Sequence, residues 1–147
     1  MFAHETRERA GRVTRLSIPE SFWNVRYDSK AIPDALNDLT AGANCQRFAY
    51  ALLAFYGVEL PPFKSSDLWE DREFTFSPAG LEALDLLLFN EEERAFGAHI
   101  AVFVGDDSAI HLALQAGRPE IWPLERFRQK SRYRCFIGAK RVREKIK

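Results

Sequence analysis

Apolar side chains recur at helical spacing in one stretch of this chain, which predicts a helix with a largely buried face. Its apolar positions are Phe48, Leu52, Leu53, Phe55 and Tyr56. Asn44 is a favourable N-cap residue, and Gly57 suits the position just past the helix end. Cys45 therefore belongs to the first turn of the predicted helix.

Shorter stretches are apolar throughout or alternate with polar residues, which predicts strands. Two of them, His99–Gly105 and Ser108–Leu114, flank the pair Asp106-Asp107, so we expect an antiparallel hairpin with a tight turn. Because leucine is also a good helix former, the run Leu84–Phe89 suits either a strand or a helix. The other predicted strands are Glu73–Phe76, Glu120–Pro123 and Tyr133–Gly138, with a turn at Gln115–Pro119.

Helix signals concentrate before these strands. Ser17 could cap a helix that starts at Pro19. The other helical segments start at Ile32 and Ser65, a small-residue connector occupies Thr40–Ala43, and a helical turn covers Leu124–Gln129. Helices followed by strands favour an α+β fold, with N-terminal helices packed on a central, meandering antiparallel sheet.

Length and composition suit one folded domain. The 147 residues, 46% of them hydrophobic, are enough for a single core. We therefore expect one domain over residues 1–147, with a polar N-terminal arm at 1–17. The zero net charge gives no reason to expect a nucleic-acid partner. Bases predominate from Arg126 to Lys147, which indicates a solvated face or a surface for an anionic polymer or membrane.

The two cysteines and the N-terminus bear on the compartment. Cys45 and Cys135 do not form a disulfide framework, and no spacing of cysteine or histidine indicates structural zinc. Met1–Arg15 carries no apolar signal-peptide core, and no apolar run is long enough to span a membrane. These features predict a cytoplasmic protein, although a trimmed signal or another export route stays open. The oligomeric state also stays open.

Cys45 has two interpretations. At a helix start, the helix dipole and the free backbone N–H groups favour the thiolate, which is the nucleophilic form. The same N–H groups could bind an oxyanion. Alternatively, Cys45 is a small apolar side chain that packs at a helix start.

The predicted hairpin brings two histidines near each other. Folding the strands about the turn makes His99 and His111 cross-strand or diagonal neighbours, roughly 5–8 Å apart. If their face packs on the start of the Cys45 helix, His99 could act as a general base that His111 orients. Each histidine could instead be a half-buried residue satisfied by a backbone carbonyl. A metal site with Asp85 or Asp106 is a further alternative. The third histidine, His4, lies in the polar arm, where we expect no role for it.

The segment around Cys45 and the strands that carry the histidines resemble those of a known family. Asn44–Phe48 is similar to the Asp-Cys-Ser-Gly-Phe signature of NlpC/P60 peptidases. His99–Gly105 and Ala109–Ala113 resemble the two histidine strands of that family. Leu84–Phe89 resembles its Gly-Asp-Leu-Val-Phe-Phe strand, and Gly138–Val142 its closing strand. The matches occur in the family's order and span nearly the whole chain.

The resemblance implies a papain-like α+β fold and a cysteine peptidase that acts on bacterial cell-wall peptides. Cys45 would be the nucleophile, His99 the base and His111 the orienting residue, with no metal and no cofactor. The backbone N–H of Cys45 would help to form the oxyanion hole. Tyr27, Asn44 and Gln46 would contact the substrate, a peptide or muropeptide.

The residues beside the cysteine depart from the family pattern. Asn44 stands where the family has Asp, Gln46 where it has Ser, and Arg47 where it has Gly. Replacing Asp with Asn removes a negative charge that could pair with a substrate ammonium group. The substrate is therefore less well defined than the chemistry. The same fold could serve an amidase, a deamidase, an acyltransferase or a catalytically inactive binding domain.

Overall fold

The structure is a computed structural model, and it describes residues 15–27, 44–113, 115 and 117–144. The predicted N-terminal arm, the segment that starts at Ile32 and the connector Thr40–Ala43 lie mostly or wholly outside the described residues. The predicted helix after Pro19 is one 3-10 turn, Glu20–Asn24, and no side chain caps it.

Three α-helices and six strands make up the rest of the described fold. The helices are α1 (Cys45–Phe55), α2 (Ser65–Glu70) and α3 (Leu124–Arg128), and a second 3-10 turn covers Ser131–Tyr133. The strands are β1 (Thr75–Phe76), β2 (Leu86–Asn90), β3 (His99–Gly105), β4 (Ser108–Ala113), β5 (Arg118–Pro123) and β6 (Cys135–Val142). This is an α+β architecture with one antiparallel sheet.

The sheet is only partly the predicted meander. Strands β2 to β5 follow one another, but the last strand returns between β1 and β2, giving the order β1-β6-β2-β3-β4-β5. In this position Ala139 of β6 pairs with Leu87 of β2, and Arg141 of β6 pairs with Phe76 of β1. The alternating pattern of β6 predicts a strand, but it carries no information about the neighbours of that strand.

Local signals define α1 as predicted. The Asn44 side chain accepts a hydrogen bond from the backbone N–H of Arg47 at 2.9 Å, which is the N-cap interaction. Gly57, with φ of 82°, follows the last turn in the left-handed conformation that glycine adopts without strain. Cys45 is the first residue of the helix, as predicted.

The hairpin of β3 and β4 is also present. Asp106 and Asp107 have φ of 54° and 55°, the left-handed conformation of a two-residue hairpin turn. The register pairs Val102 with Ile110. Counting back along this ladder makes His99 a diagonal neighbour of His111, as the sequence predicts.

Several strand boundaries differ from the predicted ones, and for the start of β2 the reason lies in the backbone. Leu84 has φ of 79°, a strained value for leucine, so β2 begins only at Leu86. Strand β5 begins at Arg118, within the predicted turn. Tyr133 belongs to the 3-10 turn rather than to β6.

The sheet separates two hydrophobic cores. The helix-side core contains, among others, Phe48, Ala49, Leu52, Leu53, Ile100, Val102, Ile110 and Leu112. The aromatic core contains Leu87, Phe89, Ala101, Phe103, Ala109, Trp122, Phe127, Tyr133 and Ala139. Because side chains alternate across a strand, Ile100 faces α1 while His99 faces the aromatic core.

Candidate active site

A cavity of about 420 Å³ opens where the start of α1 meets the start of β3. Five residues that the sequence predicts for the site line it, namely Tyr27, Asn44, Cys45, Gln46 and His99. The other lining residues are Asn90, Glu91, Gly97, Ala98, Ser131, Arg132 and Tyr133. The sixth predicted residue, His111, does not line the cavity, but it contacts the lining residues His99 and Tyr133.

Cys45 is half-buried at the first position of α1 and packs against the helix-side core. Burial raises the pKa of its thiol to about 11, although the backbone N–H groups of Ile100, Cys45 and Gln46 act in the opposite direction. The N–H groups at the helix start favour the thiolate, as predicted, but burial outweighs them, so Cys45 carries a thiol in the resting protein. The free-energy cost of desolvating a thiolate at this position exceeds the stabilisation that the backbone N–H groups at the helix start provide.

The two histidines form a hydrogen-bonded pair. His99 Nε2 lies 2.8 Å from His111 Nδ1, and the rings are nearly perpendicular at 88°. Because Nε2 of His99 is engaged with His111, Nδ1 is the His99 ring nitrogen that this contact does not occupy. Burial, together with the positive charge of Arg132, lowers the His99 pKa to about 3. Both the thiol and His99 are therefore neutral near pH 7.

His111 lies deeper than His99 and is fully buried. Burial, His99 and the positive charge of Arg126 lower its pKa to about 2. The deep histidine is therefore also neutral across the physiological range. Its only hydrogen bond through a ring nitrogen, within the part of the chain that the structure describes, is the one to His99.

Cys45 and the histidine pair approach the cavity from opposite faces of the sheet. The Cys45 helix packs on the face of Ile100 and Val102, whereas both histidine rings contact the aromatic core. They meet at the end of the sheet, around the first residues of β3. The histidine face therefore does not pack on the start of the helix, but Cys45 and His99 still border one cavity.

Aromatic rings enclose the histidines, and the sequence does not predict this enclosure. Tyr133 stacks on His99, with ring centroids 4.5 Å apart. Trp122 and Phe127 contact His111 at 4.2 Å and 4.7 Å between centroids. A signal for Trp122 does exist, because β5 directly follows the strand of His111 and an adjacent strand offers its alternate side chains to the same face.

The side chains of Asn44 and Gln46, which flank Cys45, are largely engaged in hydrogen bonds at the start of α1. The Asn44 side-chain oxygen caps α1, and its Nδ2 donates to Gln46 Oε1 at 3.5 Å. The carbonyl oxygens of both amides are therefore engaged. Among the described residues, the charged ones that line the cavity are Glu91, in the β2–β3 loop, and Arg132, in the second 3-10 turn.

Asp85, one of the carboxylates considered for a metal, is buried in an ion pair. Its two oxygens accept hydrogen bonds from Arg141 Nε at 2.6 Å and from Arg141 Nη2 at 2.8 Å. The other, Asp106, lies in the hairpin turn. Across residues 15–27, 44–113, 115 and 117–144, no group of three or more His, Cys, Asp or Glu side chains is arranged to hold a metal ion.

The same described ranges contain no helix that is both long and apolar enough to cross a membrane.

The fold is similar to that of a solved NlpC/P60 family protein from Bacillus cereus ATCC 10987. The TM-score is 0.52 and the sequence identity 22%, over 68% of this chain. The matched region corresponds to 32% of the other chain, so this protein spans about a third of that length. No protein-family model matches the sequence, and no curated protein sequence matches it either.

Proposed function

We propose that this protein is a cysteine hydrolase that cleaves an amide bond of a peptide, with Cys45 as nucleophile, His99 as base and His111 as orienting residue. The observation that carries the proposal is the 2.8 Å bond between the two imidazoles, with His99 and Cys45 lining one cavity. The likeness to an NlpC/P60 family structure supports a papain-like fold. We propose that residues 1–147 form one catalytic domain.

In the first step, His99 Nδ1 accepts the thiol proton as Cys45 Sγ attacks the carbonyl carbon of the substrate. The high thiol pKa means that proton transfer accompanies the attack rather than preceding it. The oxyanion that develops lies near the start of α1, where the backbone N–H of Cys45 can donate to it. Because the Cys45 thiol and His99 are both neutral, the site holds no buried ion pair before the substrate binds.

In the second step, the imidazolium of His99 gives its proton to the leaving nitrogen as the C–N bond breaks. An amine departs, and the acyl group remains on Cys45 as a thioester. His99 then takes a proton from water, which attacks the thioester carbon and releases the carboxylic acid. The thiol recovers its proton from His99, so the enzyme returns to its starting state.

The cavity favours a peptide substrate that carries charges of both signs. Glu91 and Arg132 provide one negative and one positive group at its wall, while Asn44 and Gln46 beside the nucleophile are neutral. Peptides of the bacterial cell wall carry both free amines and free carboxylates, and the resemblance of Asn44–Phe48 and of the two histidine strands to NlpC/P60 peptidases implies the same substrate class. We therefore propose a muropeptide or a related amide.

The test is digestion of defined muropeptides and of unmodified peptides, read by mass spectrometry. We expect cleavage of a muropeptide amide by the unaltered protein, loss of turnover in Cys45→Ala, and unchanged turnover in the matched variant Cys135→Ala. A product in which the acyl group is joined to an amine or alcohol instead of water would identify a transferase. Equal turnover in Cys45→Ala and the unaltered protein would refute thiol catalysis.

A further inference from the structure

One ring nitrogen of His111 is buried in a nonpolar enclosure. Its Nε2 has no hydrogen-bond partner among the described residues, and the side chain has no exposed surface. Aromatic rings surround this histidine, with centroid distances of 4.2 Å to Trp122, 4.7 Å to Phe127 and 5.8 Å to Tyr133. A buried polar atom without a partner is uncommon and calls for a physical explanation.

The aromatic surroundings favour a hydrogen on that nitrogen. The His111 plane is inclined to those of Trp122, Phe127 and Tyr133 by 70°, 59° and 88°, so none of the three rings stacks flat on the imidazole. Aromatic faces are electron-rich, so they attract an N–H group and repel a nitrogen lone pair. An Nε2–H group can therefore be accommodated here without a conventional acceptor.

We propose that Trp122 is a positioning residue that, together with Phe127 and Tyr133, seals Nε2 of His111 from water and holds this histidine neutral with its hydrogen on Nε2. In this tautomer Nδ1 of His111 is an acceptor, so His99 must donate from Nε2. His99 then carries its lone pair on Nδ1. The aromatic enclosure thus determines which nitrogen of His99 is basic, through two hydrogen-bonded rings.

Trp122 is itself fixed from two sides. Its Nε1 donates to Glu120 Oε1 at 2.8 Å, and the Arg126 guanidinium lies 4.3 Å from the centre of its ring. Glu120 also pairs with His111 across the β4–β5 ladder. Two anchors for one side chain are consistent with a role that needs a defined ring position rather than bulk alone.

The charged and titratable groups around His111 come from each neighbouring element. They are His99 on β3, Glu120 on β5, Arg126 on α3, and Arg132 and Tyr133 in the second 3-10 turn. Arg126 acts against a positive charge on His111, and Arg132 against one on His99. The carboxylate of Glu120 is occupied by the Trp122 indole N–H. Arg126 and Arg132 therefore add to the effect of the aromatic enclosure, whereas the negative charge of Glu120 acts against it.

The catalytic consequence rests on the proposed function. A proton taken from Cys45 stays on His99, where it is available to the leaving amine, because the enclosed His111 does not accept it. Opening the enclosure would let water reach His111 and would raise the pKa values of the histidine pair toward the ordinary value near 6.5. The acid limb of the rate profile would then move to higher pH.

The first measurement is ¹⁵N NMR of the histidine rings in the unaltered protein between pH 4.5 and 9. We expect His111 to give the Nε2–H tautomer throughout, with no titration. A signal from the Nδ1–H tautomer, a tautomer mixture or an imidazolium in this range would overturn the proposal. This readout needs no substrate, so its failure is distinguishable from failure of the proposed function.

The second measurement compares Trp122→Ala with Trp122→Phe, which retains an aromatic face. For turnover of a cleaved peptide, we expect kcat of Trp122→Ala at pH 5 to fall about tenfold below its own value at pH 8, the effect of a pKa one unit above the assay pH. Trp122→Phe should have a nearly flat profile, with KM of both variants close to that of the unaltered protein. A folded Trp122→Ala protein with a flat profile would contradict the proposal. If this variant does not fold, the NMR measurement on the unaltered protein decides.

Discussion

The two cores on either side of the sheet differ in composition and in what they do for the cavity. The helix-side core is largely aliphatic and packs α1 against β3, which determines where Cys45 lies. The aromatic core surrounds His99 and His111 with rings, which determines how these side chains bind protons. The proposed nucleophile, Cys45, and the proposed base, His99, thus contact opposite faces of the sheet.

The difference shows that position and protonation can be changed separately. Aliphatic side chains contribute packing but no polar interactions, so truncating one of them changes the stability of the fold more than the reaction rate. An aromatic core has electron-rich faces and excludes water, so it acts on any imidazole within it. Mutations in the two cores should therefore give different combinations of stability and rate.

The largest expected effect on activity comes from replacing His99, which contacts the aromatic core and lines the cavity together with Cys45. His99→Ala should reduce kcat/KM by about 10,000-fold or more, as removal of a catalytic base does in other triads. His111→Gln, whose side-chain oxygen can still accept from His99, should lose far less, about tenfold. Peptide turnover measured for both variants, with folding checked by circular dichroism, tests this. Similar losses in the two variants would contradict the assigned roles.

A smaller effect is expected from the helix-side core. Leu52 is fully buried in α1, so Leu52→Ala should lower the free energy of unfolding by about 3 kcal/mol. Because Leu52 packs in the helix-side core, on the other face of the sheet from the histidine rings, kcat per folded molecule and its pH profile should be preserved. Urea unfolding measures the free energy of unfolding, and turnover assays over a range of pH measure kcat. Loss of kcat without loss of stability would mean that α1 does more than seat Cys45.

The smallest effect concerns stability as a function of pH. His111 has a pKa of about 2 in the folded protein and about 6.5 when unfolded, so between these values the unfolded chain binds the extra proton. Stability should therefore fall as the pH is lowered below 6.5, by up to about 1.4 kcal/mol per pH unit from this residue. Urea unfolding between pH 7 and pH 4.5 should show this slope, and His111→Gln should reduce it. An equal slope in both proteins would place the acid sensitivity elsewhere.

Local signals explain which parts of this structure the sequence predicts. Asn44 and Gly57 mark the ends of α1 through backbone hydrogen bonding and a left-handed conformation, both of which are properties of a few adjacent residues. Asp106 and Asp107 likewise define the hairpin, and with it the contact between the two histidines. The candidate nucleophile and its two partners are therefore visible in the sequence.

The features that the sequence does not predict depend on contacts between distant segments. The protonation state of Cys45 follows from how deeply α1 packs, and the dipole argument at the helix start does not include that burial. The enclosure of His111 needs Trp122 from β5 and Phe127 from α3 to meet on one face. The place of β6 between β1 and β2 is likewise a matter of long-range pairing.

The interior position of β6 has a consequence for how the protein folds. Before residues 135–142 dock, β2 lacks one neighbour and the sheet is divided, with β1 separated from the strands that carry the histidines. Pairs such as Thr75 with Val142 close a long loop, and contacts of this kind form late and slowly. During synthesis, a chain that has emerged only through the hairpin therefore has an exposed apolar strand edge. Docking of β6 pairs this edge of β2 and joins β1 to the rest of the sheet, which removes an edge prone to aggregation.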